Sequence, residues 1–144
     1  MKIAFDENVP IKMVRLFKAL TSEDSLLPSF EFVSAAEYTD GSKQESDVPW
    51  IESFSADGGQ VVISGDVAMH ARPHERKAYR DAGLIVFFFA SKWGNMKLFP
   101  RSAMLLRWWP RIEEQIAKSS PKQCWQIPVT WNGEEMREVT GPDD

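Results

Sequence analysis

The sequence predicts an α/β fold: a mainly parallel sheet with helices on both faces and a β-hairpin at the C-terminal end. Three observations predict it. Short apolar runs alternate with segments of helical period from Lys2 to about residue 118. Each run halts at a polar or glycine-bearing edge. After Pro121 the period changes from helical to strict alternation. Strands that alternate with helices need crossover connections, and these give a parallel sheet with right-handed links.

The elements follow in order. Lys2-Ile3-Ala4-Phe5 is a buried strand that reaches a polar edge at Asp6-Glu7-Asn8. Pro10 suits the first turn of a helix, and Val9, Met13, Leu16, Phe17 and Leu20 recur at helical spacing, so a helix is predicted over 9–20. A loop over 21–28 leads to a second strand at Phe30-Glu31-Phe32-Val33, followed by a polar loop over 36–45. Ser46 is a helix cap with Pro49 in the first turn, Trp50, Ile51 and Phe54 form the apolar face, and Gly58-Gly59 ends the helix. Val61-Val62-Ile63 is a β-branched central strand that stops at Ser64-Gly65-Asp66. A helix over 74–82 ends at Gly83, Leu84 to Phe89 is the next buried strand, and a last helix spans about 96–118, with Pro110 a kink point. Trp125, Ile127, Val129 and Trp131 then alternate, Asn132-Gly133 supplies a two-residue turn, and Met136 and Val139 continue the hairpin. Pro128 argues for an edge strand. Phe87-Phe88-Phe89 and Trp108-Trp109 are expected in the core.

Length and composition set limits. The chain has 144 residues, enough for one domain and too few for two independent cores. A 43% hydrophobic and 26% charged composition excludes wholesale disorder. The one cysteine, Cys124, excludes an internal disulfide framework and a cysteine-based zinc cluster. The longest apolar run, Leu84 to Ala90, is far short of a membrane span, and a charge follows the first apolar residues too soon for a signal peptide. A cytoplasmic protein is expected. With net charge −4, a uniformly basic nucleic-acid binder is excluded, and only a local basic stripe remains open.

The acidic residues carry the chemistry. In open α/β sheets ligands bind beyond the carboxyl ends of the strands. Asp6 ends the first strand, Asp66 the third, and Asp47 lies in the first turn of the helix preceding the third, so the three can converge on one rim with Glu7 beside them. Such carboxylates raise one another's pKa unless they share a cation. Oxygen-only ligands suit Mg²⁺ or Mn²⁺, which activate water and stabilise phosphoryl oxygens. The plainer alternative is that each Asp is a turn former, and Asp47 a helix cap.

Three motifs carry a resemblance. Ile3-Ala4-Phe5-Asp6-Glu7-Asn8-Val9-Pro10, Ser46-Asp47-Val48-Pro49-Trp50-Ile51 and Val61-Val62-Ile63-Ser64-Gly65-Asp66 occur in order over about residues 1–90. Together they resemble PIN-like domains, in the compact branch that includes the VapC-type toxins of toxin–antitoxin pairs. The resemblance implies a PIN-like three-layer sandwich; with the periodicity of the rest of the chain this gives a domain over 1–118, a hairpin extension of it over 119–140, and a disordered tail over 141–144. It also implies a Mg²⁺- or Mn²⁺-dependent ribonuclease with Asp6, Asp47 and Asp66 as catalytic metal ligands. Glu7 aligns with the family's glutamate, as a further ligand or as support for one. The family pattern has another acid two residues after Asp66, where this chain has Ala68, a departure that favours one metal over two and puts full activity in question.

Arg72, Arg76 and Arg80 recur at helical spacing with Lys77 among them, a stripe that can follow an RNA backbone or simply be a solvated face. His70 and His74 are conceivable acid–base groups, although a surface histidine is more often idle. A toxin needs a cognate antitoxin, for which Trp125 and Trp131 are the candidate surface, by strand addition at the Pro128 edge or a helix laid over the indoles. At least one of the two is expected to be substantially exposed; a homodimer stays open, and no membrane partner is expected. The alternatives are a receiver-like phosphoacceptor domain, with Asp6-Glu7, Asp66 and Ser91-Lys92 as its site, and a PIN-like binding module with a degenerate site.

Overall fold

The computed structural model describes residues 1–6, 8–23, 30–38, 47–66, 73–129, 131 and 136–140. Its elements run β1 (Lys2–Phe5), α1 (Ile11–Glu23), β2 (Glu31–Ser34), a 3-10 turn (Ala35–Tyr38), α2 (Asp47–Ala56), β3 (Gly59–Ser64), α3 (Pro73–Asp81), β4 (Ile85–Phe89), a second 3-10 turn (Ser91–Asn95), α4 (Leu98–Lys118), β5 (Cys124–Ile127) and β6 (Arg137–Glu138). One six-stranded sheet has the order β2-β1-β3-β4-β5-β6. Its first five strands are parallel, and β6 pairs antiparallel with β5.

The continuous apolar runs are explained by burial on both sheet faces. Ile3, Phe5, Val61, Ile63, Phe87 and Phe89 point to one face, where α1 and α4 pack with Met13, Phe17, Trp108, Trp109 and Ile112. Ala4, Val62, Val86 and Phe88 point to the other, under Trp50, Ile51 and Phe54 of α2 and Tyr79 of α3. On the first face Trp109 meets Phe17 and Phe32 with ring centroids 5.0 and 5.3 Å apart, so the expected core role of Trp108-Trp109 holds. Phe87, Phe88 and Phe89 are fully buried. The layers are therefore helix, sheet, helix.

Most expected elements are present, with ends shifted by a few residues. α1 starts at Ile11 and continues to Glu23, through part of the expected loop. Gly58, with φ of +89°, follows α2, as a helix-ending glycine should. α4 continues through Pro110. Two expectations are corrected. β5 is not an edge strand, because β4 covers one side and β6 the other. Nor does the alternation from Trp125 to Trp131 form one strand; β5 stops at Ile127, directly before Pro128, which has no N–H to give the ladder. The Ser46 cap, the Asn132-Gly133 turn and residues 141–144 lie outside the described residues. Among the described residues no helix is long and apolar enough to cross a membrane.

Candidate functional site

The sheet order places the site. From β1 the chain crosses to β2 on one side and then to β3 on the other, so the order reverses between β1 and β3. Doubly wound sheets hold ligands in the crevice beyond the carboxyl ends at such a reversal. Phe5 lies opposite Ile63, and Asp6 N–H donates to the Ile63 carbonyl at 3.1 Å. Asp6 and Asp66 are therefore carried on adjacent strand ends at the reversal, as the motif spacing anticipated.

Asp6 is 5% exposed and its carboxylate is enclosed by donors. Oδ1 accepts from the backbone N–H of Gly65 at 2.9 Å and of Asn8 at 3.0 Å. Oδ2 accepts from the Ser64 hydroxyl, and Ser64 Oγ accepts in turn from Asp66 N–H at 3.2 Å. Burial pushes the Asp6 carboxyl up to about 6, against the downward pull of the Ser64, Gly65 and Asn8 hydrogen bonds. None of these partners is a cation, so among the described residues the buried negative charge is stabilised by hydrogen-bond dipoles.

Gly65 makes this enclosure possible. A Cβ there would lie 2.6 Å from the Asn8 carbonyl oxygen and 2.7 Å from its carbon, a backbone contact that cannot swing away. Ser64 and Gly65 are thus the positioning residues of Asp6. In the sequence Ser64-Gly65 marks the stop of a strand within the third motif, and the signal for its positioning role is a small-residue pair in front of a strand-end aspartate.

The remaining candidates are less completely placed. Asp47 is the first residue of α2, which runs back over the sheet from the rim side to β3. Its side chain lies outside the described residues, as do Glu7, Ala68, His70 and Arg72. Among the described residues no group of three or more His, Cys, Asp or Glu could hold a metal ion. The donor chemistry nonetheless fits a hard cation. A carboxylate is the hard oxygen donor that such a cation takes, and Asp6 is oriented by Ser64, Gly65 and Asn8. A buried anion without a cationic partner is also the electrostatic condition that a divalent ion relieves.

The arginine stripe is less open than expected. Arg76 and Arg80 are half-buried on α3, and Arg76 lies close enough to Cys124 to act on its thiol. Lys77 is exposed but pairs with Asp81 at 2.6 Å, one turn on. α3 runs away from the rim, so Arg80 lies about 6 Å further down the helix axis than Arg76. A groove of about 310 Å³ between α2 and α3, lined by Glu52, His74, Lys77, Ala78, Asp81 and Ala82, contains neither Asp6 nor Asp66.

Trp125 and Trp131 are both half-buried, so neither has the substantial exposure expected. Trp125 Nε1–H donates to Ser119 Oγ at 3.0 Å. Trp131 packs edge-on against Trp108 at 4.8 Å, with the guanidinium groups of Arg111 and Arg107 at 4.7 and 5.1 Å from its ring centre. Strand addition at Pro128 also loses its edge, since β6 borders β5 there. The receiver-like alternative lacks its lysine on a later strand end: Ser91 and Lys92 share the 3-10 turn after β4, and β5 ends at Gln126-Ile127.

A profile of the PIN-like domain family matches residues 1–91, from β1 to just past β4. No curated protein and no solved structure matches the chain at a significant level. The matched span covers well over half of the sequence and contains all three strand-end and helix-start aspartates in the order of the motifs, so this chain belongs to the PIN-like domain family.

Proposed function

We propose that the chain is a metal-dependent endoribonuclease, the toxin of a cytoplasmic toxin–antitoxin pair. PIN-like domains are commonly nucleases. The observation that carries the reading for this chain is Asp6, a buried carboxylate at the sheet's reversal point with no cationic partner among the described residues, one strand away from Asp66. Asp6, Asp47 and Asp66 would hold a Mg²⁺ or Mn²⁺ ion, with Glu7 as a further ligand or support. When bound, such an ion supplies an activated water and charge stabilisation at the phosphoryl oxygens.

The chain's own residues have distinct tasks in this reading. Ser64, Gly65 and Asn8 fix the orientation of the Asp6 carboxylate at the rim. Arg72, Arg76, Lys77 and Arg80 contribute phosphate contacts, which position RNA without reading its bases. A cognate antitoxin, which the toxin assignment requires, would add a strand at β6 or cover the half-buried Trp125 and Trp131. The second reading is a PIN-like binding module without catalysis. The enclosure of Asp6 by three donors favours it, because those bonds alone give the carboxylate a structural role.

Cleavage of an RNA panel with Mn²⁺, together with calorimetric Mn²⁺ titration, separates the two. Asp6→Asn and Asp66→Asn should each lose metal affinity and cleavage by more than the roughly 10- to 100-fold typical of removing an outer partner. Unchanged Mn²⁺ binding in both variants refutes the metal site. Absence of cleavage in a wild type that binds RNA supports the binding module.

A further inference from the structure

The rim that carries Asp6 and Asp66 has a second feature, on its β4 side. Ser64 lies opposite Phe88, so β4 leaves the sheet next to the strand end that bears Asp66. The chain then makes the 3-10 turn Ser91–Asn95 and enters α4 at Leu98. On the first turn of α4 stands Phe99, 86% exposed. Every other phenylalanine and tryptophan of the chain is buried or half-buried.

This ring is not on a loose loop. Trp93, fully buried, stacks on Phe89 with centroids 4.6 Å apart and donates from Nε1 to the Ile127 carbonyl at 3.1 Å. The Trp93 carbonyl accepts from the Arg101 guanidinium and from Met96 N–H, each at 3.0 Å. The turn and the start of α4 are thus tied to the sheet on both sides of Phe99, and the ring is presented to solvent on a fixed support.

Charge singles out the same segment. Between Ala82 and Ile112 the chain carries Lys92, Lys97, Arg101, Arg107 and Arg111 and no aspartate or glutamate, although its net charge is −4. Lys92, within the 3-10 turn, and Lys97, between that turn and α4, are exposed. An acidic protein has gathered positive charge on the stretch that bears its one fully displayed aromatic ring. A cationic surface with an aromatic platform is the arrangement that holds single-stranded nucleic acid, where phosphates meet the cations and an unstacked base meets the ring.

We infer that Phe99, with Lys92 and Lys97 on the stretch that leads to it, is a nucleobase-stacking platform that receives single-stranded RNA beside the candidate site. The choice of RNA as the polymer rests on the ribonuclease reading above. A duplex does not fit, because its bases are stacked on each other and offer no face to the ring. A protein partner fits less well, since the ring lies on a stretch of chain rich in cations and free of acids.

The test is fluorescence anisotropy of the full chain with a labelled single-stranded 12-nucleotide RNA in EDTA, where no divalent ion allows cleavage. A second RNA carries 2-aminopurine to report stacking. Phe99→Ala should bind about five- to 150-fold more weakly and lose the 2-aminopurine change, and Phe99→Trp should restore both. The joint change Lys92→Ala and Lys97→Ala should lower the salt slope by about 1.4. Because Phe99 is so exposed, thermal midpoints should match the wild type. Unchanged binding by Phe99→Ala, absence of RNA binding by the wild type, or equal Phe99-dependent binding of duplex RNA each overturns the inference. So does Phe99-dependent sedimentation with anionic vesicles while RNA binding stays unaffected, which would make the ring a membrane contact. Phe99-dependent RNA binding without metal-dependent cleavage would uphold the platform and remove the nuclease; metal-dependent cleavage that is indifferent to Phe99 would do the reverse.

Discussion

Replacing Asp6 with asparagine should stabilise the folded chain at neutral pH, by an amount that grows across a defined pH window. The native carboxyl titrates at about 6 because burial disfavours its charged form, and its ordinary value is 3.8. Between pH 4 and 6 the native state therefore keeps a proton that the unfolded chain has lost. The native state binds more protons in that window, so this group's contribution to stability falls as pH rises through it and is level outside. A gap of about two units corresponds to about 3 kcal/mol. Asparagine cannot ionise and lacks this loss. Its carbonyl can still accept from Gly65 and Asn8, and its amide can donate to Ser64 Oγ. The raised value already includes the hydrogen bonds made to the charged form. The gain should be about 3 kcal/mol at pH 7.5, or about 6–12 °C in thermal midpoint for a domain of this size. At pH 4 it should vanish or reverse. Urea unfolding followed by tryptophan fluorescence, in EDTA at several values from pH 4 to 7.5, measures it. A difference between variant and wild type that stays constant over that range, or a variant that is less stable at pH 7.5, refutes the reasoning.

Two further changes test the support of the site and the place of Trp131. Gly65→Ala should cost about 1–3 kcal/mol, because its Cβ would press on the Asn8 backbone at 2.6 Å and push apart the loop that holds Asp6. An unaltered thermal midpoint would show that the loop yields freely. Trp131→Ala should also cost about 1–3 kcal/mol, through loss of the edge-on contact with Trp108 and of the Arg107 and Arg111 contacts. Unchanged stability in urea would mean that the indole contributes nothing to the fold and is available to a partner.

Much of the fold was legible because it is local. Continuous runs such as Val61-Val62-Ile63 and Leu84 to Phe89 can be satisfied only by burial on two faces, which requires helices on both sides of the sheet. The strand-end aspartates were legible for the same reason, since a run of apolar residues that stops at Asp6 or Asp66 places that residue at the sheet's rim. The C-terminal stretch misled because alternation reports which residues share a face, and says nothing of where a strand ends or what lies beside it. Pro128 argued for an edge strand, and the pairing of β5 on both sides overturns that. The chain accommodates Pro128 by ending β5 at Ile127 and leaving the outer position to β6.

What only the tertiary structure decided is contact between residues far apart in the chain. The sheet order, and with it the reversal between β1 and β3, depends on which strands pair. The enclosure of Asp6 joins it to Ser64 and Gly65, 58 and 59 positions away, and nothing within either segment announces the other. Trp131 and Phe99 show the same limit from opposite sides. Both are large apolar residues in segments of suitable pattern, yet one lies folded against Trp108 and two arginines while the other stands in solvent. The sequence by itself determined which residues must be buried somewhere and which carboxylates must reach an edge. Which groups surround them was decided by packing, because hydrogen-bond geometry and burial are properties of neighbours in space, and most of those neighbours are distant in the chain.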